Sequence, residues 1–142
     1  MNIVLARIDD RLIHGQVATV WSKATNCQRI IVCDDDVAND KIRATLLKQV
    51  APAGMKSHVV TLDKAIRVYN NPKYENDRCL LLFTKPASVL YLVEHGVDIK
   101  SVNIGGMSFH EGKKQVPSAV SVEQEDIDAF NKLHEKGIEL EV

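Results

Sequence analysis

Ten consecutive residues, Arg7-Ile8-Asp9-Asp10-Arg11-Leu12-Ile13-His14-Gly15-Gln16, bring one imidazole, two carboxylates and two guanidiniums into a single short stretch. A neutral imidazole nitrogen is a competent nucleophile near neutral pH and forms covalent intermediates without a partner base. A phosphorylated imidazole passes its phosphoryl group on, and transfer between two such centres asks mainly for in-line positioning and for stabilisation of charge on the equatorial oxygens. His14 is the candidate nucleophile. Arg11 suits the stabilising role because its planar fork bonds two phosphate oxygens at once, and Gly15 removes bulk where backbone must approach an anion. Asp9 or Asp10 would accept the other ring N–H of His14 or brace Arg11; an aspartate here also fits a simple turn cap. No GxxxxGK[ST] loop occurs, so a nucleotide is not the expected donor.

These groups need elements to hold them. Ile3-Val4-Leu5-Ala6 reads as the start of a buried parallel strand, Ile3 to Ile8, and Gln16 to Ala24 reads as the helix that follows, with Val17, Val20 and Trp21 at helical spacing. The unpaired amides and positive dipole of a helix start at Gln16 would stabilise an anion beside His14. Further strands are predicted at Arg29 to Cys33, Lys56 to Thr61, Arg78 to Phe83, Ser101 to Ile104, Ala119 to Val122 and Ile138 to Val142. Helices are predicted at Asn39 to Val50, Leu62 to Asn70, Pro86 to Glu94 and Val122 to Lys136. Ser121 is a candidate N-cap for the last helix, Gly137 its stop, Gly96 the stop of the one before, and Pro52 with Gly54 the end of the helix from Asn39. The alternation predicts an α/β fold: an open, mostly parallel twisted sheet with helices on both faces. Such sheets bind ligands outside the carboxyl ends of their strands. Asp9 to Gly15, Asp34-Asp35-Asp36, Thr84-Lys85-Pro86 and Gly105-Gly106-Met107-Ser108 all follow strands at that edge.

Composition narrows the function classes. The chain has 142 residues, 18 basic against 19 acidic side chains and a formal charge of −1. No basic block suggests nucleic acid, and no apolar run approaches the roughly 20 residues that cross a bilayer. The expected location is the cytoplasm, with any membrane association made through another protein. Without repeat, linker or low-complexity tract, residues 1–142 read as a single domain. Cys27, Cys33 and Cys79 lack disulfide or metal-ligand spacing and read as buried thiols. Asp34-Asp35-Asp36 reads as a solvated acidic turn rather than a metal cluster. His58 reads as a satisfied strand histidine, and His95 and His134 as residues near helix C-termini. His110, with Lys113 and Lys114 in the irregular stretch 105–118, is a candidate second phosphate contact or docking patch. Neither a metal nor a cofactor is expected.

Arg7 to Val17, taken with Asn39 to Pro52, Arg67 to Tyr74 and Ser101 to Met107, resembles the IIB component of the mannose/fructose/sorbose family of the bacterial sugar phosphotransferase system, over essentially the whole chain. Arg-Ile-Asp-Asp-Arg-Leu-Ile-His-Gly-Gln-Val is the most specific element. The resemblance implies that His14 becomes phosphorylated. It would accept phosphoryl from a histidine of a IIA component and give it to a sugar bound by the membrane components IIC and IID, the activity of a protein-N(π)-phosphohistidine–sugar phosphotransferase. The chain departs from the family pattern in ending at Glu141-Val142, where a further short C-terminal segment is expected, and in carrying His110 where arginine is usual.

Two other functions compete. A receiver-type signalling domain would hold Mg²⁺ with Asp9 and Asp10 and use Lys85, although its acceptor aspartate belongs after the third strand, where Thr61 stands. Proton abstraction by an aspartate and His14 on a small metabolite is the third.

Overall fold

A computed structural model of the chain describes residues 1–9, 17–49, 55–105, 114–115, 121–122 and 124–141. Strand β1 (Asn2–Ile8) is followed by α1 (Val17–Thr25), β2 (Arg29–Cys33), α2 (Asp35–Asn39), α3 (Lys41–Gln49), β3 (Lys56–Val60) and α4 (Leu62–Tyr69). After a 3₁₀ turn (Pro72–Tyr74) come β4 (Arg78–Phe83), α5 (Pro86–Glu94), β5 (Ser101–Ile104), the short β6 (Lys114–Gln115) and β7 (Ser121–Val122), then α6 (Gln124–Glu135) and β8 (Glu139–Glu141). Six strands form one sheet in the order β3-β2-β4-β1-β5-β8, every pairing in it parallel, while β6 and β7 make a separate antiparallel pair.

Side-chain alternation assigns the two faces. In β4, Cys79, Leu81 and Phe83 join a core with Ala65 of α4, Val89 and Leu92 of α5, and Ala129 and Leu133 of α6. Leu80 and Leu82 point the other way, into a core with Val37 of α2 and Leu47 of α3, against which Trp21 of α1 packs. A strand buried on both faces needs a continuous apolar run, which is what Arg-Cys-Leu-Leu-Leu-Phe supplies. The predicted open parallel sheet with helices on both faces is therefore what the chain forms.

Several helix ends carry the expected chemistry. Gly96 (φ 93°) and Gly137 (φ 82°) adopt the left-handed conformation that ends α5 and α6. Each makes a Schellman pair: Gly96 N–H donates to Val93 and Val97 N–H to Leu92, and Gly137 N–H donates to His134 and Ile138 N–H to Leu133. Thr61 caps α4 by accepting from Lys64 N–H at 3.2 Å. Ser121 does not cap α6: it lies in β7, three residues before the helix begins. The predicted helix Asn39–Val50 is α3, which begins at Lys41, and a short helix that was not predicted, α2, precedes it. Asp34 caps α2 by accepting from Val37 N–H at 2.9 Å, and Asp40, extended between the helices (φ −95°, ψ 96°), accepts from Arg43 N–H at 3.1 Å and starts α3. The acidic run is thus a capped helix start rather than a turn, with Asp34 buried and Asp35 and Asp36 exposed. Pro52 and Gly54 lie outside the described residues. All three cysteines are free and buried.

Candidate functional site

Topology picks out one place on the carboxyl edge. β1 and β4 are neighbours, yet α1, which follows β1, covers one face of the sheet and α5, which follows β4, covers the other. A crevice opens where adjacent strands send their connections to opposite faces, and ligands of open α/β sheets bind there. The ends of the two strands are tied together by Asp9 N–H donating to Phe83 carbonyl at 2.8 Å, and β5 joins through Gly105 N–H to Ile8 carbonyl at 2.7 Å. Residues 10–16 connect Asp9, at this crevice, to Val17, the first residue of α1. Asp10, Arg11, His14, Gly15 and Gln16 themselves lie outside the described residues, as do His110 and most of the stretch 105–118.

At the end of β1 is a buried ionic platform. Asp9 is fully buried, and its Oδ2 accepts from Arg7 Nη2 at 3.3 Å. Residues 7 and 9 share one face of β1 because strand side chains alternate. Arg7 Nη1 donates to Asn103 Oδ1 on β5, and the guanidinium lies 5.5 Å from the centre of the Trp21 ring of α1, within cation–π range. Arg7 Nε is buried with no acceptor among the described residues. Gly105 has no room for a side chain: a Cβ there would collide with Arg7 Nη2 and stand 2.7 Å from its Cζ and 2.8 Å from Asp9 Oδ2. Gly105→Ala is therefore expected to push the ion pair apart and lower stability by about 1–3 kcal/mol, the usual range for overpacking. A denaturant midpoint equal to that of the unaltered chain would show that the platform yields freely.

A second carboxylate at this edge is already engaged. Asp34 holds the start of α2 with one oxygen and accepts from the Thr84 hydroxyl with the other. Among the described residues no cluster of three His, Cys, Asp or Glu side chains is set to hold a metal. Lys85 is exposed, at the N-cap of α5, with Pro86 at the first helical position. The sequence reading passed over Asn103 and took Trp21 only as a helix residue; the i, i+2 spacing of Arg7 and Asp9 was the available sign of a shared face.

His58, on β3, is half-buried near the opposite edge, and its Nε2 lies 3.0 Å from Arg29 Nη1. Since a guanidinium only donates, Nε2 is the acceptor and the ring is neutral. Burial, and then the cations of Arg29, Lys56, Lys64 and Lys48, hold its pKa below the ordinary histidine value. The unfolded chain then takes up a proton at a pH where the folded chain does not. Stability conferred by neutral His58 is complete above about pH 6.5 and falls as pH drops toward the folded pKa. His58→Gln, which can still accept from Arg29, is expected to flatten the loss of urea-unfolding stability between neutral pH and about pH 5. An unchanged slope would exclude His58 as its source.

Comparison with known proteins completes the assignment. A family described as the PTS system sorbose subfamily IIB component matches residues 3–142. The chain belongs to this family of IIB components of the sugar phosphotransferase system. The sorbose-specific EIIB component of Klebsiella pneumoniae is 56% identical over 142 residues, covering all of this chain and 87% of that protein. The mannose-specific EIIAB component of Escherichia coli K12 is 64% identical over 142 residues, so that this IIB chain spans only 44% of that relative's length. The crystal structure of the IIBSor domain of the K. pneumoniae sorbose permease superposes with a TM-score of 0.96 at 57% identity, covering 99% of this chain and 86% of that one. The receiver-type alternative falls. Flavodoxin-like receivers place β1 between β2 and β3; in this IIB fold β1 lies between β4 and β5.

Proposed function

We propose that this IIB domain accepts a phosphoryl group from a phosphohistidine of a IIA component onto His14 and passes it to a sugar bound by the membrane components IIC and IID. The observation that carries this reading is the position from which residues 10–16 depart: the β1/β4 switch point at the carboxyl edge. His14 precedes α1 by three residues, and the first turn of α1 carries no acidic side chain to oppose its dipole. An imidazole nitrogen of His14 attacks phosphorus in line as the donor's P–N bond breaks, and the imidazole of the IIA histidine leaves. In the second transfer a sugar hydroxyl attacks the same phosphorus as the His14 P–N bond breaks, the hydroxyl proton ends on the released imidazole, and His14 returns to its starting state. Arg11, with the amides around Gly15 and Gln16, balances charge on the equatorial oxygens, and Asp10 orients Arg11 or the ring. The chemistry proposed uses neither metal nor nucleotide.

Among the described residues no helix is long and apolar enough to cross a membrane. The domain is proposed to act in the cytoplasm, held at the membrane face by IIC and IID. Those components are proposed to select the sugar, and the mannose and sorbose named for the relatives above support a hexose.

The reading is tested by incubating the chain with a phosphorylated IIA component. One phosphate should be gained, stable to alkali and lost in acid, as a phosphoramidate behaves. A label lost in alkali would identify an acyl phosphate on an aspartate and overturn the proposal. Arg11→Lys keeps the charge but loses the bidentate fork, so the transfer rate should fall roughly tenfold or more while the unfolding midpoint holds. A fall in the midpoint with an unchanged rate would make Arg11 structural.

A further inference from the structure

A second cleft lies at the opposite edge of the sheet, where β2, β3 and β4 begin and α4 passes over them. It encloses about 150 Å³. Its floor is apolar: Ile31, Val60, Ala65 and Cys79 line it, all buried. The Cys79 thiol, pushed up to about 11 chiefly by burial, stays protonated at neutral pH and leaves that floor uncharged.

The rim is cationic and fixed. Arg29 Nε donates to Asp77 Oδ2 at 3.0 Å, Nη1 donates to His58 Nε2 at 3.0 Å, and the guanidinium lies 5.6 Å from the centre of the Tyr74 ring. Three neighbours thus hold Arg29 in place, while its Nη2 has no acceptor among the described residues. Lys64, exposed on α4, lines the same opening. The one carboxylate there, Asp77, is already paired with Arg29. A pre-positioned guanidinium with an open edge, beside an ammonium and above a neutral apolar floor, matches an anion attached to a compact hydrocarbon body. A volume of about 150 Å³ is enough for a body the size of benzene.

We propose that this cleft binds a small monocarboxylate with a compact apolar body, its carboxylate on Arg29 and Lys64 and its hydrocarbon on Ile31, Val60 and Cys79. Inorganic phosphate would leave the apolar floor uncovered, and a neutral isostere would leave the cations unanswered. The site shares no residue with the phosphoryl-transfer motif and stands independently of that function.

Benzoate titrated into the isotopically labelled full chain at neutral pH is the test. Saturable amide shifts should centre on Arg29, His58, Tyr74 and Cys79, and neither benzamide nor inorganic phosphate should reproduce them there. Lys64→Gln, at an exposed position, should weaken binding by about twofold to fivefold, as an exposed ion pair allows. Val68→Phe, which fills the cleft from α4, should abolish it. His14→Gln should leave it unchanged, which separates this site from the transfer motif. Shifts confined to the motif, shifts that do not saturate, equal binding of benzamide, or undiminished binding to a folded Val68→Phe chain would each overturn the proposal.

Discussion

His14→Gln is expected to yield a folded chain that takes no phosphate from a charged IIA component, with transfer to sugar reduced by at least about a thousandfold. Glutamine keeps polar hydrogen-bonding capacity but has no nucleophilic nitrogen. The size of the loss follows from the absence of a substitute among the described residues. Asp9 is enclosed with Arg7, and both oxygens of Asp34 are engaged at the start of α2 and on Thr84. His58 accepts from Arg29 at the cleft near the amino edge. His95 Nδ1 is 2.7 Å from Tyr91 carbonyl at the end of α5, and His134 lies in the last turn of α6. None of these imidazoles stands at the β1/β4 crevice. The measurement is the intact mass of the variant after incubation with the phosphorylated donor, beside a thermal unfolding curve. A full phosphate on the variant would move the acceptor elsewhere, and His110→Gln then becomes the decisive second chain. If His14 is the acceptor, His110→Gln still gains its phosphate.

What the sequence made legible follows from how local each signal is. Strands β2 and β4 occur at the predicted residues because a strand buried on both faces must be an apolar run, and such runs end where charge begins; β5, Ser-Val-Asn-Ile, was legible instead from its alternation. The glycine stops after α5 and α6 were readable for the same reason, since a left-handed residue is needed at a fixed position. Helix α2 was not readable. Its five residues, Asp-Asp-Val-Ala-Asn, are too few to show a helical period, and only the Asp34 side chain accepting from Val37 N–H marks its start. Ser121 failed as a cap because a good capping residue is equally at home in an extended pair, and β6 supplies that partner from six residues earlier. The chemistry proposed for the motif rests on residue types alone. The platform at the end of β1 could not be read, because Asn103 and Trp21 reach Arg7 from β5 and α1, and only the fold puts them there.

That platform bears the second large effect. Asp9→Asn is expected to destabilise the chain by about 3–5 kcal/mol, the cost of leaving one member of a buried ion pair without its counter-charge. Asp9 is 0% exposed and the Arg7 side chain 12%, so water cannot replace the lost carboxylate. Asparagine preserves the shape and can still accept from Nη2, which limits packing loss and isolates the charge. The pair itself need not be stabilising, since two buried charges give up much hydration to meet. Replacing both with apolar side chains, Arg7→Met with Asp9→Leu, should therefore recover most of the stability that Asp9→Asn loses. The double variant then separates folding from function. If the platform serves to set the departure of residues 10–16 from β1, the repacked chain will unfold close to the normal midpoint yet accept phosphoryl slowly, and a charged donor in excess will not restore the rate. Normal transfer by a stable double variant would mean that the backbone bonds from Asp9 to Phe83 and from Gly105 to Ile8 suffice to aim the loop, with Arg7 and Asp9 serving the fold alone.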